Sequence, residues 1–122
     1  MDDELVKETL LDHARSPYHH GSSRLATHTG RFENPACGDS SQIELTIGDE
    51  DRIEEAWFQS EGCMVTRAGG SILTQFLEGK TTKEARQLSE IDVLSLLDSP
   101  ITPHRQICFL LTYFALQDAI GC

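Results

Sequence analysis

The chain changes its hydrophobic period at Gly62-Cys63, and that change limits the folds open to it. Before it, Gln42 to Ile47 alternates. Ile43, Leu45 and Ile47 face one way and Gln42, Glu44 and Thr46 the other, the pattern of a strand with one solvated face. Gly48-Asp49-Glu50-Asp51 reads as a turn and Arg52 to Gln59 as the return strand of a hairpin, with residues 28–33 as a third strand. After it, Met64, Val65, Ala68, Ile72, Leu73, Phe76 and Leu77 trace one helical face, and Gly79 stands where a helix cap belongs. Thr81 with Glu84 makes a capping box for a short helix over 82–88, and Ser89 opens another through Leu97. Residues 105–120 predict one helix, apolar almost all round and so deeply packed. Towards the start, residues 3–14 read as an amphipathic helix ended by Ser16-Pro17, and Tyr18 to Gly30 as polar loop. The order predicts an α+β fold, a small antiparallel three-stranded sheet packed with helices on one face.

At 122 residues the chain has the length of a single domain, taken as 1–122. Twenty acidic residues against ten basic ones give a formal charge of −10, which argues against nucleic acid and against an anionic membrane surface as partners. No stretch approaches the roughly 20 apolar residues that cross a bilayer. The opening MDDELVKE lacks the apolar region of a signal peptide. The expected location is cytoplasmic, where thiols stay reduced.

Four cysteines then need an account: Cys37, Cys63, Cys108 and Cys122. Taken singly, each is a small core residue by default. Their settings argue otherwise for three. Cys37 and Asp39 stand two apart around Gly38, so in extended chain a thiol and a carboxylate project together. Cys63 and Cys108 are each expected at a helix start, where unpaired N–H groups favour a thiolate, and Arg105 adds a positive neighbour to Cys108. The three are 26 and 45 residues apart, unlike paired zinc-finger knuckles, so any shared ligand set must come from three separated elements. His104, four residues before Cys108, is a weaker candidate ligand. His13 is expected to be structural, His19, His20 and His28 solvated, and Cys122 is given no role. Gly69-Gly70-Ser71, inside a helical pattern, marks close helix packing rather than a phosphate loop.

These residues resemble the NifU/IscU-type iron–sulfur cluster assembly scaffolds, and especially the SufU branch. Leu10-Leu11-Asp12-His13 with Ser16-Pro17 and Gly21 is similar to the family's N-terminal LDHYxxPxNxG segment. Asn34-Pro35-Ala36-Cys37-Gly38-Asp39 matches its first ligand motif, Phe58 to Cys63 (FQSEGC) the second, and Arg105-Gln106-Ile107-Cys108 the third. The match runs from about residue 5 to 120. The resemblance implies a SufE/NifU-like α+β fold with a metal site at one end, ligated by Cys37, Asp39, Cys63 and Cys108. It implies either a 2Fe–2S cluster or Zn²⁺ as occupant, with a cysteine desulfurase and apo iron–sulfur recipient proteins as partners. It also implies Cys37 or Cys108 as persulfide acceptor, and the missing histidine before Cys108 favours Cys37.

Some positions depart from the family. Ile107 stands where IscU proteins carry histidine, and Ile101-Thr102-Pro103-His104-Arg105 replaces the Leu-Pro-Pro-Val-Lys segment used by a dedicated Hsp70 chaperone, so that partner is not expected. The 45-residue separation leaves no room for the insertion usual in SufU proteins. Arg67 stands in a run usually made of small residues. Three functions follow in order: a non-enzymatic assembly scaffold, a zinc-bound sulfur acceptor with sulfurtransferase character, and a metal-stabilised interaction module without chemistry.

Overall fold

A computed structural model describes residues 11–23, 25–35, 38–97 and 101–121. Most of the expected N-terminal helix lies outside these residues. Its last turn, 11–15 (α1), is helical and closes where the Ser16 N–H donates to the Asp12 carbonyl at 3.0 Å, just ahead of Pro17. The sheet is a meander of His28–Glu33 (β1), Ser40–Ile47 (β2) and Ile53–Glu61 (β3), antiparallel throughout in the order β1-β2-β3. Alternation sets the register: Gly30 pairs with Ile43 and Ile43 with Phe58, and Ile43, Leu45, Ala56 and Phe58 are wholly buried on the helix side. The expected turn is a 3₁₀ turn over Asp49–Asp51 with Glu50 and Asp51 at positive φ, preceded by a register slip at Thr46/Ile47.

The helices are Met64–Leu77 (α2), Thr82–Arg86 (α3), Glu90–Leu94 (α4, continued by a 3₁₀ turn over Ser95–Leu97), Pro103–Phe109 (α5) and Leu111–Ile120 (α6). Helix α6 lies across β1 and β2, α2 lies against β3, and α5 and α6 pack on α2. The expected Thr81–Glu84 capping box forms, and Ser89 starts its helix through a second box with Asp92. Gly79, just past α2, is at φ +90.

The single helix expected over 105–120 is two. Pro103 takes the first helical position and starts α5 earlier than periodicity suggests, because a proline needs no N–H there and its φ already fits. The chain then breaks at Leu110, where the backbone of Phe109 lies against Gly69 of α2 so closely that a β-carbon on Gly69 would overlap its carbonyl oxygen. Gly70 sits equally close to the Phe58 ring and Thr112. The two glycines thus serve close helix packing, as their setting suggested.

The apolar face drawn for α2 also needs correction. Met64 is 39% exposed, whereas Thr66, Ser71 and Thr74 are buried. Ser71 Oγ lies 2.7 Å from His13 Nδ1 and accepts the Tyr18 N–H at 2.7 Å, so it ties α1 and the following loop to α2. Burial holds His13 below its usual pKa. His19 is packed rather than solvated, whereas His20 is exposed, as expected. His19 stacks between Tyr18 and Trp57, with Nδ1 2.8 Å from Glu78 Oε2, while His20 meets the Phe58 ring edge-on. Their segment closes the outer edge of β3: the Gly21 N–H donates to Phe58 O at 2.8 Å and the Phe58 N–H to His19 O at 3.0 Å. Further along that edge, the Ile53 N–H donates to Lys80 O and the Gly79 N–H to Ile53 O, both at 2.8 Å. His28 is exposed, as expected.

Helix α6 crosses β1 where a β-carbon on Gly30 would overlap the Ala115 carbonyl and the Ala119 backbone. Both obstacles are main chain and cannot swing aside. Gly30→Ala is therefore expected to lower the unfolding free energy by about 1–3 kcal/mol, read as a drop in urea midpoint at unchanged slope.

Candidate metal centre

Three segments converge at one end of the sheet. Asp39 immediately precedes β2, Cys63 is the N-cap of α2, and Cys108 is the penultimate residue of α5. One ligand atom from each, two sulfurs and a carboxylate oxygen, lie within 4.8 Å of one another. Cys37 and Cys122 lie outside the described residues. His104 is exposed and does not belong to the group of three.

Local sequence explains how each ligand reaches the site. Gly38 holds φ +79, a conformation that L side chains rarely adopt, and so turns the chain into Asp39. The Asn34 N–H donates to Asp39 O and the Gly38 N–H to Asn34 O, both at 2.8 Å, which closes this turn. Gly62 leaves room opposite, since a β-carbon there would fall 2.6 Å from Asp39 Cγ. Cys63 begins α2 as expected. Cys108 does not begin a helix: with Pro103 at the start of α5 it falls near that helix's end, so the helix-dipole argument for this thiol fails. It is buried, at 5% exposure, where Cys63 is exposed.

The two thiols therefore differ. Partial burial pushes the Cys63 thiol up, but the backbone and hydroxyl of Thr66, the Val65 N–H and the Cys108 thiol outweigh it, and its pKa lies below the ordinary value. Thr66 is the residue that sequence reasoning passed over. Its Oγ1 donates to Asp39 Oδ2 at 3.4 Å and lies 3.7 Å from Cys63 Sγ. The available signal was position: three residues past a helix N-cap, a side chain reaches back over the first turn.

The donor set fits a metal. With Zn–S near 2.3 Å and Zn–O near 2.1 Å, tetrahedral ligands stand about 3.6–3.8 Å apart, so the three atoms need only a small inward movement. Met64 and Ile107, 39% and 48% exposed, stand beside Cys63 and Cys108 in the chain, and Arg67 and Arg105 are exposed as well. Ile107, where a histidine was missing from the motif, offers no ligand atom.

The sequence profile of the NifU-like N terminal domain matches residues 5–122, and the chain belongs to that family. It is 31% identical over 117 residues to the iron-sulfur cluster assembly scaffold protein IscU of Escherichia coli (strain K12), covering 93% of this chain and 90% of that protein. It is 30% identical over 115 residues to the protein of the same name from Rickettsia prowazekii (strain Madrid E), covering 92% and 86%. The fold agrees with that of a nitrogen-fixing NifU-like protein (N-terminal) from Brucella abortus, at a TM-score of 0.75 and 16% identity over 98% of this chain and 94% of that one. No helix among the described residues is long and apolar enough to cross a membrane.

In metal-free protein, iodoacetamide is expected to modify Cys63 well before Cys108. Because a lowered pKa leaves more thiolate at a given pH, the Cys63 rate should rise at lower pH in the folded chain than in the same chain unfolded in denaturant. Peptide mapping over a pH series checks both, and a rise only at higher pH than in the unfolded chain contradicts the assignment.

Proposed function

We propose that the protein is an iron–sulfur cluster assembly scaffold, with Cys37, Asp39, Cys63 and Cys108 as ligands and iron and sulfide as its cargo. The observation that carries this reading is the convergence of Asp39, Cys63 and Cys108 from three separate elements, in a chain of the NifU-like N-terminal family. Thiolates suit iron and sulfide, which are soft partners. The Asp39 carboxylate is the harder and weaker ligand, and a scaffold that must give its cluster away gains from one ligand that exchanges readily. In this reading Cys63, fixed at a helix start, anchors the cargo. Asp39 releases it, and a cysteine desulfurase and apo recipient proteins supply sulfur and take the product.

A specific observation favours a second reading, a zinc-bound sulfur acceptor. Three donor atoms within 4.8 Å of one another suit a single ion. A two-iron cluster carries its ligands in pairs on opposite irons, so at least one ligand pair must straddle it. Ile107 in place of histidine and Arg105 three residues before Cys108 likewise match the SufU pattern. In this role a thiolate attacks the outer sulfur of the desulfurase persulfide. The donor's S–S bond breaks, a new S–S bond forms on the acceptor, and the donor leaves as a thiolate with no net oxidation. Cys37 and Cys108 are the candidate acceptors, and Cys37 is favoured because Cys108 is buried while neighbouring Gly38 faces open space.

Protein purified without air is expected to carry metal bound through these four residues. Acid-labile sulfide after reconstitution identifies the scaffold. Zinc without sulfide, together with persulfide on Cys37 or Cys108 after incubation with a desulfurase and cysteine, identifies the acceptor. No metal in either preparation, with every thiol freely titrating, refutes both.

Asp39→Ala is expected to keep the fold and still bind metal, but to release a reconstituted cluster more slowly to an apo acceptor. Cys63→Ala should lose metal affinity outright. Metal content and transfer rate at equal folded fraction distinguish them.

A further inference from the structure

Thr66 is 1% exposed and stands at the third position of α2. A buried threonine in a helix commonly turns its hydroxyl back onto the carbonyl four residues earlier. Thr74 on the same helix does so, donating to Gly70 O at 2.9 Å. The carbonyl four residues before Thr66 is that of Gly62, ahead of the helix, and the Thr66 hydroxyl reaches across to Asp39 Oδ2 at 3.4 Å while lying 3.7 Å from Cys63 Sγ. Two of the three convergent ligand residues are thus joined through one side chain that is itself no thiolate or carboxylate.

We infer that Thr66 is the positioning residue of the metal centre: its hydroxyl fixes one carboxylate oxygen of Asp39 beside the Cys63 sulfur and leaves the other oxygen for the metal. The inference rests on the proposed metal-binding function and adds to it a residue that binds no metal. A hydroxyl has one proton. In the metal-free chain that proton is shared between the Cys63 sulfur and Asp39 Oδ2; once a metal holds the sulfur it is directed to Oδ2, competes for that oxygen and favours Asp39 as a one-oxygen ligand, positioned from the first turn of a helix packed into the core. Such outer partners orient metal ligands, and their loss typically costs 10–100-fold in affinity.

The test uses the full chain with Co²⁺ as spectroscopic probe and Zn²⁺ affinity read by competition with a chromophoric chelator. Thr66→Val, which keeps the shape and removes the hydroxyl, is expected to weaken Zn²⁺ binding about 10–100-fold and to shift the Co²⁺ ligand-field bands. Thr66→Ser, which keeps the hydroxyl, should restore both. In an Asp39→Ala background the same Thr66→Val change should cost no more than about twofold, because the group it positions is already gone. Circular dichroism and thermal unfolding of the metal-free variants check the fold, and Thr66→Ala serves if the valine is not accommodated.

Wild-type affinity and spectrum in Thr66→Val overturn the inference. So does an equal loss with and without Asp39, or a loss in Thr66→Ser as large as in Thr66→Val. Failure of the wild-type chain to bind Zn²⁺ or Co²⁺ overturns the metal-binding function itself, and is seen before any variant is made.

Discussion

The contact between Gly69 and the backbone of Phe109 fixes the metal centre. Two helices without side chains between them at that point meet at main-chain distance. Cys63 lies six residues before Gly69 on one helix, and Cys108 immediately precedes Phe109 on the other, so the separation of the two thiols follows from this approach. The third ligand is tied to the same node. Gly70 seats against Phe58 and Thr112, and Thr112 shares a buried 2.6 Å hydrogen bond with Ser41 near the start of β2, two residues past Asp39. Strand, helix and helix are thus referenced to one small patch of close packing, and a chain lacking Gly69-Gly70 would hold its ligands further apart.

What was legible in the sequence was what local physics decides. The alternation of Ile43 and Leu45 gave the strand and its buried face, and the Thr81–Glu84 box and Ser89 gave two helix starts, because each depends on residues within one turn. Gly62-Cys63 marked the change of period and the first residue of the α2 cap. The misreadings share a cause. Leu110 looks helical in isolation, and the helix breaks there beside the close approach of Phe109 to Gly69. Periodicity assigned Cys108 to a helix start because it began the helix at residue 105, whereas Pro103 is the first residue of a short helix that ends at Phe109. His19 read as solvated, and Thr66 and Thr74 fell outside the apolar face drawn for α2. They are packed because each has a distant partner, Glu78 for His19, Asp39 for Thr66 and the Tyr18 carbonyl for Thr74, which pattern alone does not disclose.

The site is asymmetric in a way that bears on exchange. Cys63 is exposed with a thiol favoured as thiolate, Cys108 is buried behind it, and Asp39 rests on a glycine-bounded turn. From solvent, Cys63 is therefore reached before Cys108. Although the chain carries a formal charge of −10, exposed Arg67 and Arg105 belong to the helices that bear the two thiols, and exposed Met64 and Ile107 are next to those thiols in sequence. The setting combines positive charge with apolar contact, which favours an incoming anionic sulfur and a protein surface around it.

The chain order of the ligands has a further consequence. Asp39, Cys63 and Cys108 are separated by 24 and 45 residues, and each separation encloses a whole unit of the fold: the β2–β3 hairpin in one, α2 through most of α5 in the other. In an unfolded chain, gathering them means closing both loops against chain entropy, a cost that rises with the logarithm of loop length. The native chain has already met that cost through its packing. A half-folded molecule, with the hairpin formed but α5 undocked, holds at most a fragment of the site. In the proposed scaffold, loading would thus act as a proofreading step, since a chain whose distant segments have not all arrived lacks a complete ligand set.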